Sequence, residues 1–247
     1  MLVHRAGTAK GWAAATDDGL GASANTCSTC QRPLLTRLTV VKGCDNEAVT
    51  SAAPPVDPYL FDRDRSCLVV IDVQRFFLDK LPAGERQPLV ARIAWLMRVA
   101  RVLGVPIIAT AEDVANDGPL VAELTSELPQ GSTVHDKMVF GLAGQPSIVS
   151  DVKDTGRGEF VIVGMETDVC VAHSAIGLTA LGYRVGVIDD ATASPAPHHE
   201  YGIARMRGAG VMITSVKGIY YEWVRDLPTM HDARAQMGSA LPPGLTL

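Results

Sequence analysis

The chain predicts an α/β fold, namely a three-layer αβα domain on a doubly wound, mostly parallel six-stranded sheet, for which 3-2-1-4-5-6 is taken as the common order. Three observations point there. From Ser66 onward, short apolar runs alternate with stretches of helical spacing. The strongest runs, Cys67–Ile71 and Phe160–Val163, are continuous rather than alternating, as for strands covered on both faces. Glycines, such as Gly104 and Gly182, stand where the intervening helices should stop.

Taken in order, Cys67–Ile71 is the first strand. Pro88–Leu103 is a helix, with Leu89, Val90, Ile93, Leu96, Met97 and Ala100 on one stripe. Val105–Thr110 is the second strand, and a short third one surrounds Val134, ahead of Lys137. Phe160–Val163 is the fourth, followed by a helix over Val169–Leu181. Arg184–Ile188, a helix over Glu200–Arg207, Val211–Thr214 and a final helix from about Lys217 complete the set. Right-handed crossovers leave few ways to wind these elements.

The first sixty residues differ. Residues 6–30 are rich in Ala, Gly, Thr, Ser and Asp without a sustained period, and only residues 34–41 suggest a strand. Ala52-Ala53-Pro54-Pro55-Val56-Asp57-Pro58 reads as an extended linker, because proline fixes φ and biases the preceding residue away from helix. The expected division is an extension over 1–60, flexible or an oligomer arm, and the α/β domain over 61–247. A formal charge of −5 argues against an electrostatic nucleic-acid binder. No apolar run approaches the roughly 18 residues needed to span a bilayer, and the first fifteen residues do not resemble a signal peptide. Five cysteines, an odd number, do not suggest a disulfide framework, so a reducing, cytoplasmic setting is expected.

Three positions carry chemistry. Asp72 directly follows the first strand, where a carboxylate points into the crevice that such folds use for ligands; a helix cap or a partner for Arg75 is the bland alternative. Cys170 opens the helix after strand 4, where the positive helix end favours a thiolate; an inert buried thiol is the alternative. Lys137 would, alone, be an ordinary surface lysine. In the order 3-2-1-4-5-6, however, strands 1 and 4 are neighbours at the point where the winding reverses. Cys170, Asp72 and Lys137 then meet at one sheet edge, as nucleophile, proton acceptor and cation respectively.

Val69-Val70-Ile71-Asp72-Val73-Gln74, Lys137 followed by Phe140, and Val163-Gly164-Met165-Glu166-Thr167-Asp168-Val169-Cys170-Val171 resemble, in that order, the signatures of isochorismatase-like cysteine hydrolases. Gly182-Tyr183-Arg184-Val185 leading to Asp189-Asp190-Ala191 does too. The likeness covers about residues 66–226. It implies a small-molecule C–N hydrolase in which Cys170 attacks a carbonyl, Asp72 accepts the thiol proton and Lys137 assists. It also implies a cis peptide at Met165–Glu166 and an oxyanion hole from the backbone N–H groups of Glu166 and Cys170, with Gln74 and Thr167 as supports. Phe77, Glu112 and Phe140 are candidates for the pocket wall. A homo-oligomer, dimer or tetramer, is implied as well. The metal-binding nicotinamidase branch carries an Asp-x-His pair after strand 2; here Ala115 stands two residues after Asp113 and no histidine precedes His135 in that region, so no metal and no cofactor are expected. Isochorismatases proper cleave a vinyl ether and often lack the cysteine. Such a hydrolase using Asp72 alone, and a non-catalytic module, are the competing readings.

Three further groups read as non-catalytic. Cys27, Cys30, Cys44 and His4 form only a weak zinc pattern, and free thiols in a mobile tail are the preferred reading. His198 and His199 are adjacent on a helix start and so point apart, and Asp189 and Asp190 read as structural carboxylates.

Overall fold

A computed structural model describes residues 59–247 of the chain. The strand expected at 34–41, the linker, His4, Cys27, Cys30 and Cys44 lie outside the described residues. The first apolar run forms β1 (Ser66–Ile71), and every residue of it is buried. Its alternate side chains explain the missing period-2 signal. Leu68 and Val70 enter one core cluster, whereas Cys67, Val69 and Ile71 enter another on the opposite face.

β1 is central in a six-stranded sheet with β2 (Ile107–Glu112), β3 (Val134–Lys137), β4 (Glu159–Met165), β5 (Arg184–Ala193) and β6 (Met212–Thr214). The order is β3-β2-β1-β4-β5-β6 and all pairings are parallel, as expected. The helices in chain order are α1 (Arg75–Leu78), α2 (Ala83–Val102), α3 (Val114–Asp117), α4 (Ala122–Thr125), α5 (Pro146–Asp154), α6 (Ala172–Ala180), α7 (His198–Gly208), α8 (Val216–Val224) and α9 (Leu227–Met237). On one face Trp95 of α2, Trp223 of α8 and Met230 of α9 share the core with Val70. On the other, Ile148 of α5, Leu178 of α6 and Met206 of α7 pack with Val69. Among the described residues no helix is long and apolar enough to cross a membrane.

Several boundaries differ from the expected ones. Helix α2 starts five residues before Pro88, which lies inside it. Proline leaves the carbonyl four residues earlier without a donor. Here that residue is Gly84, in an exposed first turn where water can serve it. β2 is shifted two residues toward the C-terminus, and β5 runs on to Ala193. The single terminal helix is two, because Asp226 starts α9 by accepting a hydrogen bond from the Thr229 N–H, with Pro228 in its first turn.

One glycine brings the two central strands together. Gly164 of β4 has φ 124°, and a Cβ there would lie 2.0 Å from the carbonyl oxygen of Ile71. Only glycine fits this approach, which sets the Cys170 loop beside the end of β1.

Candidate active site

Asp72 leaves β1 with φ 48°, in the left-handed region that aspartate tolerates better than most residues. Its N–H donates to the Thr110 carbonyl at 3.1 Å, and the Thr110 hydroxyl donates to Asp72 Oδ1 at 2.7 Å. The turn sends the carboxylate over the end of the sheet, where the Lys137 ammonium lies 2.9 Å from Oδ2. Neither side chain has any solvent exposure. Lys137 is the last residue of β3 and is in register with Glu112, the last of β2. The same ammonium lies 2.9 Å from Glu112 Oε2 and donates to the Val139 carbonyl at 2.6 Å.

Cys170 sits in a π-helical turn, Thr167–Val171, that precedes α6, rather than in the first turn of a regular α-helix as expected. Such wide turns are frequent where a side chain must be re-aimed at a site. Gly202 of α7 lets that helix close on the turn, since a Cβ there would meet the Asp168 backbone at 2.8 Å. The Cys170 thiol is directed at Glu112, donating to Oε2 at 2.9 Å. The peptide bond between Met165 and Glu166, at the entry to this turn, is cis.

Glu112 is thus a fourth member of the cluster, where sequence reasoning had placed it only on the pocket wall. Its backbone is clamped by Gln74, whose side chain accepts from the Glu112 N–H at 2.7 Å and donates to the Glu112 and Gly118 carbonyls at 2.7 and 2.6 Å. The oxygens of Asp72 and Glu112 and the sulfur of Cys170 all lie within 4.8 Å of one another. Two carboxylates and a thiol are a donor set suited to a cation, and the cation in contact with both carboxylates is the Lys137 ammonium.

Burial pushes the Asp72 carboxyl above its ordinary value, against the opposing pull of Lys137 and Thr110. Burial would lower Lys137, but the negative charge of Asp72 and the hydrogen bonds to Asp72 and Glu112 hold it above its ordinary value. The Cys170 thiol is driven up by burial, then by Asp72, with Glu112 adding to this and Lys137 opposing it. This corrects the expectation of a helix-stabilised thiolate. The helix-end field is outweighed by desolvation and two carboxylates, so the resting sulfur carries its proton.

Other predicted residues fall around this cluster. Phe77 is 3% exposed and belongs to the core, with the Lys80 ammonium 4.6 Å from its ring centre, whereas Phe140 is 57% exposed and edge-on to His173. Glu166 pairs with Lys80 at 3.3 Å. The buried Thr167 hydroxyl is 2.9 Å from His199 Nδ1, and the far nitrogen of that ring is 3.3 Å from Asp189. His198 instead approaches Asp168, at 3.8 Å, so the adjacent histidines do diverge. Asp190 accepts from the Val216 N–H at 2.8 Å, holding the first turn of α8. Sequence reasoning missed Thr110, Glu112 as a partner of the thiol, and the Thr167–His199 contact. All three depend on strand register or on the packing of α7, which leave no local pattern.

Residues 66–217 match the isochorismatase domain. Isochorismatase domain-containing protein 2 of Danio rerio is 29% identical over 163 residues, covering 65% of this chain and 80% of its own. The probable hydrolase YcaC of Escherichia coli is 27% identical over 173 residues, covering 68% of this chain and 83% of its own. Among solved structures, YcaC from Pseudomonas aeruginosa with hexane-2,5-diol and covalent acrylamide aligns with a TM-score of 0.67 at 26% identity, covering 74% of this chain and 92% of that one. With the sheet order, the turn after β4 and these likenesses in agreement, the chain belongs to the isochorismatase family and is a hydrolase of that family.

Proposed function

We propose that the chain hydrolyses the C–N bond of a small amide or ureido compound through a thioester on Cys170. The observation that carries this reading is the meeting of one thiol, one buried carboxylate and one buried ammonium, with Asp72 Oδ2 2.9 Å from Lys137 Nζ and the Cys170 sulfur within 4.8 Å of both carboxylates. On substrate binding the sulfur attacks the carbonyl carbon as its proton passes to Asp72. The carbonyl oxygen becomes an oxyanion, for which the backbone N–H groups of Glu166 and Cys170 are the donors. Asp72 returns the proton to the nitrogen, the C–N bond breaks and the amine or ammonia leaves. Water then attacks the thioester, giving its proton to Asp72, and the acid departs as the thiol recovers a proton. Lys137 holds the Asp72 carboxylate and offsets its charge. The acrylamide bound covalently in the Pseudomonas aeruginosa relative supports the reading, since acrylamide is an electrophile that thiols attack.

The substrate is a small molecule and no cofactor enters these steps. We place the chain in the cytoplasm as a homo-oligomer, in keeping with the octamer described for Escherichia coli YcaC. Residues 1–60 are proposed to be an appendage to the hydrolase domain. The test is a panel of small amides and ureido compounds assayed for ammonia release. Turnover by the wild type that Cys170→Ala abolishes is expected. Full turnover by Cys170→Ala would overturn the thioester and favour direct hydrolysis through Asp72.

A further inference from the structure

Glu112 has no part in the steps above, yet it is in contact with both the sulfur and the ammonium. Lys137 Nζ is equidistant, at 2.9 Å, from Asp72 and Glu112. One ammonium can balance one carboxylate, so the cluster keeps one negative charge when the thiol is protonated. The open side of that charge is Glu112, whose side chain retains 16% exposure while Asp72 and Lys137 have none. The Gln74 clamp on both sides of the Glu112 peptide unit fixes where the strand end, and so the carboxylate, stands. A carboxylate only accepts hydrogen bonds. A group that approaches the sulfur beside Glu112 is therefore favoured when it offers an N–H or O–H to that carboxylate, and like charges repel far more strongly in a partly dry cleft than in water.

We propose that Glu112 is a charge filter on the Cys170 cleft, so that the site takes neutral substrates, or ones with a positive nitrogen beside the scissile carbonyl, and refuses those with an anion there. This rests on the proposed thiol chemistry and narrows its substrates to uncharged or cationic N–H-bearing amides and ureas. Carboxylate-bearing amides of the same size are excluded.

The test needs no substrate. The native chain is alkylated at neutral pH with 2-bromoethylamine, iodoacetamide or iodoacetate, as cationic, neutral and anionic probes. The rate at Cys170 is read by peptide mass spectrometry and divided by the rate of each reagent with mercaptoethanol. The corrected rates are expected to fall in that order, with iodoacetate at least about tenfold below iodoacetamide, the scale set by one like charge at a partly exposed site. In Glu112→Gln, the iodoacetate deficit should shrink to within about threefold. Equal corrected rates in the wild type overturn the filter, as does a Cys170 that none of the probes alkylates. A deficit that survives in a folded Glu112→Gln chain also overturns it. Should that variant not fold, the order in the wild type alone decides. Turnover of a neutral amide together with equal corrected rates would remove the filter and leave the hydrolase reading standing. Ordered rates with full turnover by Cys170→Ala would do the reverse.

Discussion

Replacing Lys137 by methionine removes the charge that the two carboxylates share while nearly preserving the volume of a fully buried side chain. In the native protein the ammonium lies 2.9 Å from Asp72 and 2.9 Å from Glu112 and donates to the Val139 carbonyl at 2.6 Å. Taking one partner from a buried pair costs about 3–5 kcal/mol when the other stays ionised. Asp72, with no exposure, can escape part of that cost only by binding a proton. Burial already raises its carboxyl above 3.8, and Lys137 is the largest influence opposing the rise, so the substitution raises it further. The folded state then holds a proton that the unfolded chain releases, and stability falls as pH climbs from the unfolded value toward the folded one. Each unit of that window is worth ~1.4 kcal/mol. Lys137 itself has a raised value, so its own contribution persists below 10.5 and is lost only as pH rises through that higher folded value. Urea unfolding followed by circular dichroism, from about pH 5 to pH 8, measures the deficit of Lys137→Met against the wild type. It should be several kcal/mol at the upper end and clearly smaller at the lower. A deficit under about 1 kcal/mol, or one equal at both ends, would refute the shared-ammonium account.

Gly164→Ala should destroy soluble expression or lower stability by more than about 3 kcal/mol, because the added carbon lands 2.0 Å from the Ile71 carbonyl oxygen at a φ of 124°. A melting temperature near that of the wild type would contradict this. Thr110→Val removes the hydroxyl that donates to Asp72 Oδ1 at 2.7 Å, costing roughly 1.5–3 kcal/mol as a hydrogen bond to a charged group. It also lifts the Asp72 carboxyl further, so once a substrate is found the acid limb of kcat/KM should move to higher pH. That limb should already lie above the ordinary 3.8 in the wild type, since a protonated Asp72 cannot take the thiol proton. Cys67, fully buried and pushed up to about 12, should resist alkylation in the folded chain and react only on unfolding, as peptide mapping with and without denaturant will show.

The likeness to isochorismatase-like hydrolases was legible because its residues are short, local and ordered along the chain. The strand runs Cys67–Ile71 and Phe160–Val163 were legible because burial on both faces leaves a continuous apolar stretch. Element ends were not. Pro88 suggested a helix start, yet α2 opens at Ala83 because an exposed first turn can hydrate the carbonyl that proline leaves bare. Nor did the window around Cys170 carry the π-helical turn, whose shape depends on α7 closing over it at Gly202.

By itself, then, the amino-acid order determined the alternating α/β pattern, the sheet order and the positions of Asp72, Lys137 and Cys170 at strand ends and turns. Only the tertiary structure decided that Glu112 is the partner of both Lys137 and the thiol, through the pairing of Glu112 with Lys137 across β2 and β3. It also decided that the sulfur rests protonated rather than as a thiolate. The reason is physical. Apolar runs and helix stops are properties of neighbouring residues, whereas register, burial and the balance among two carboxylates, an ammonium and a thiol exist only once distant segments are packed together.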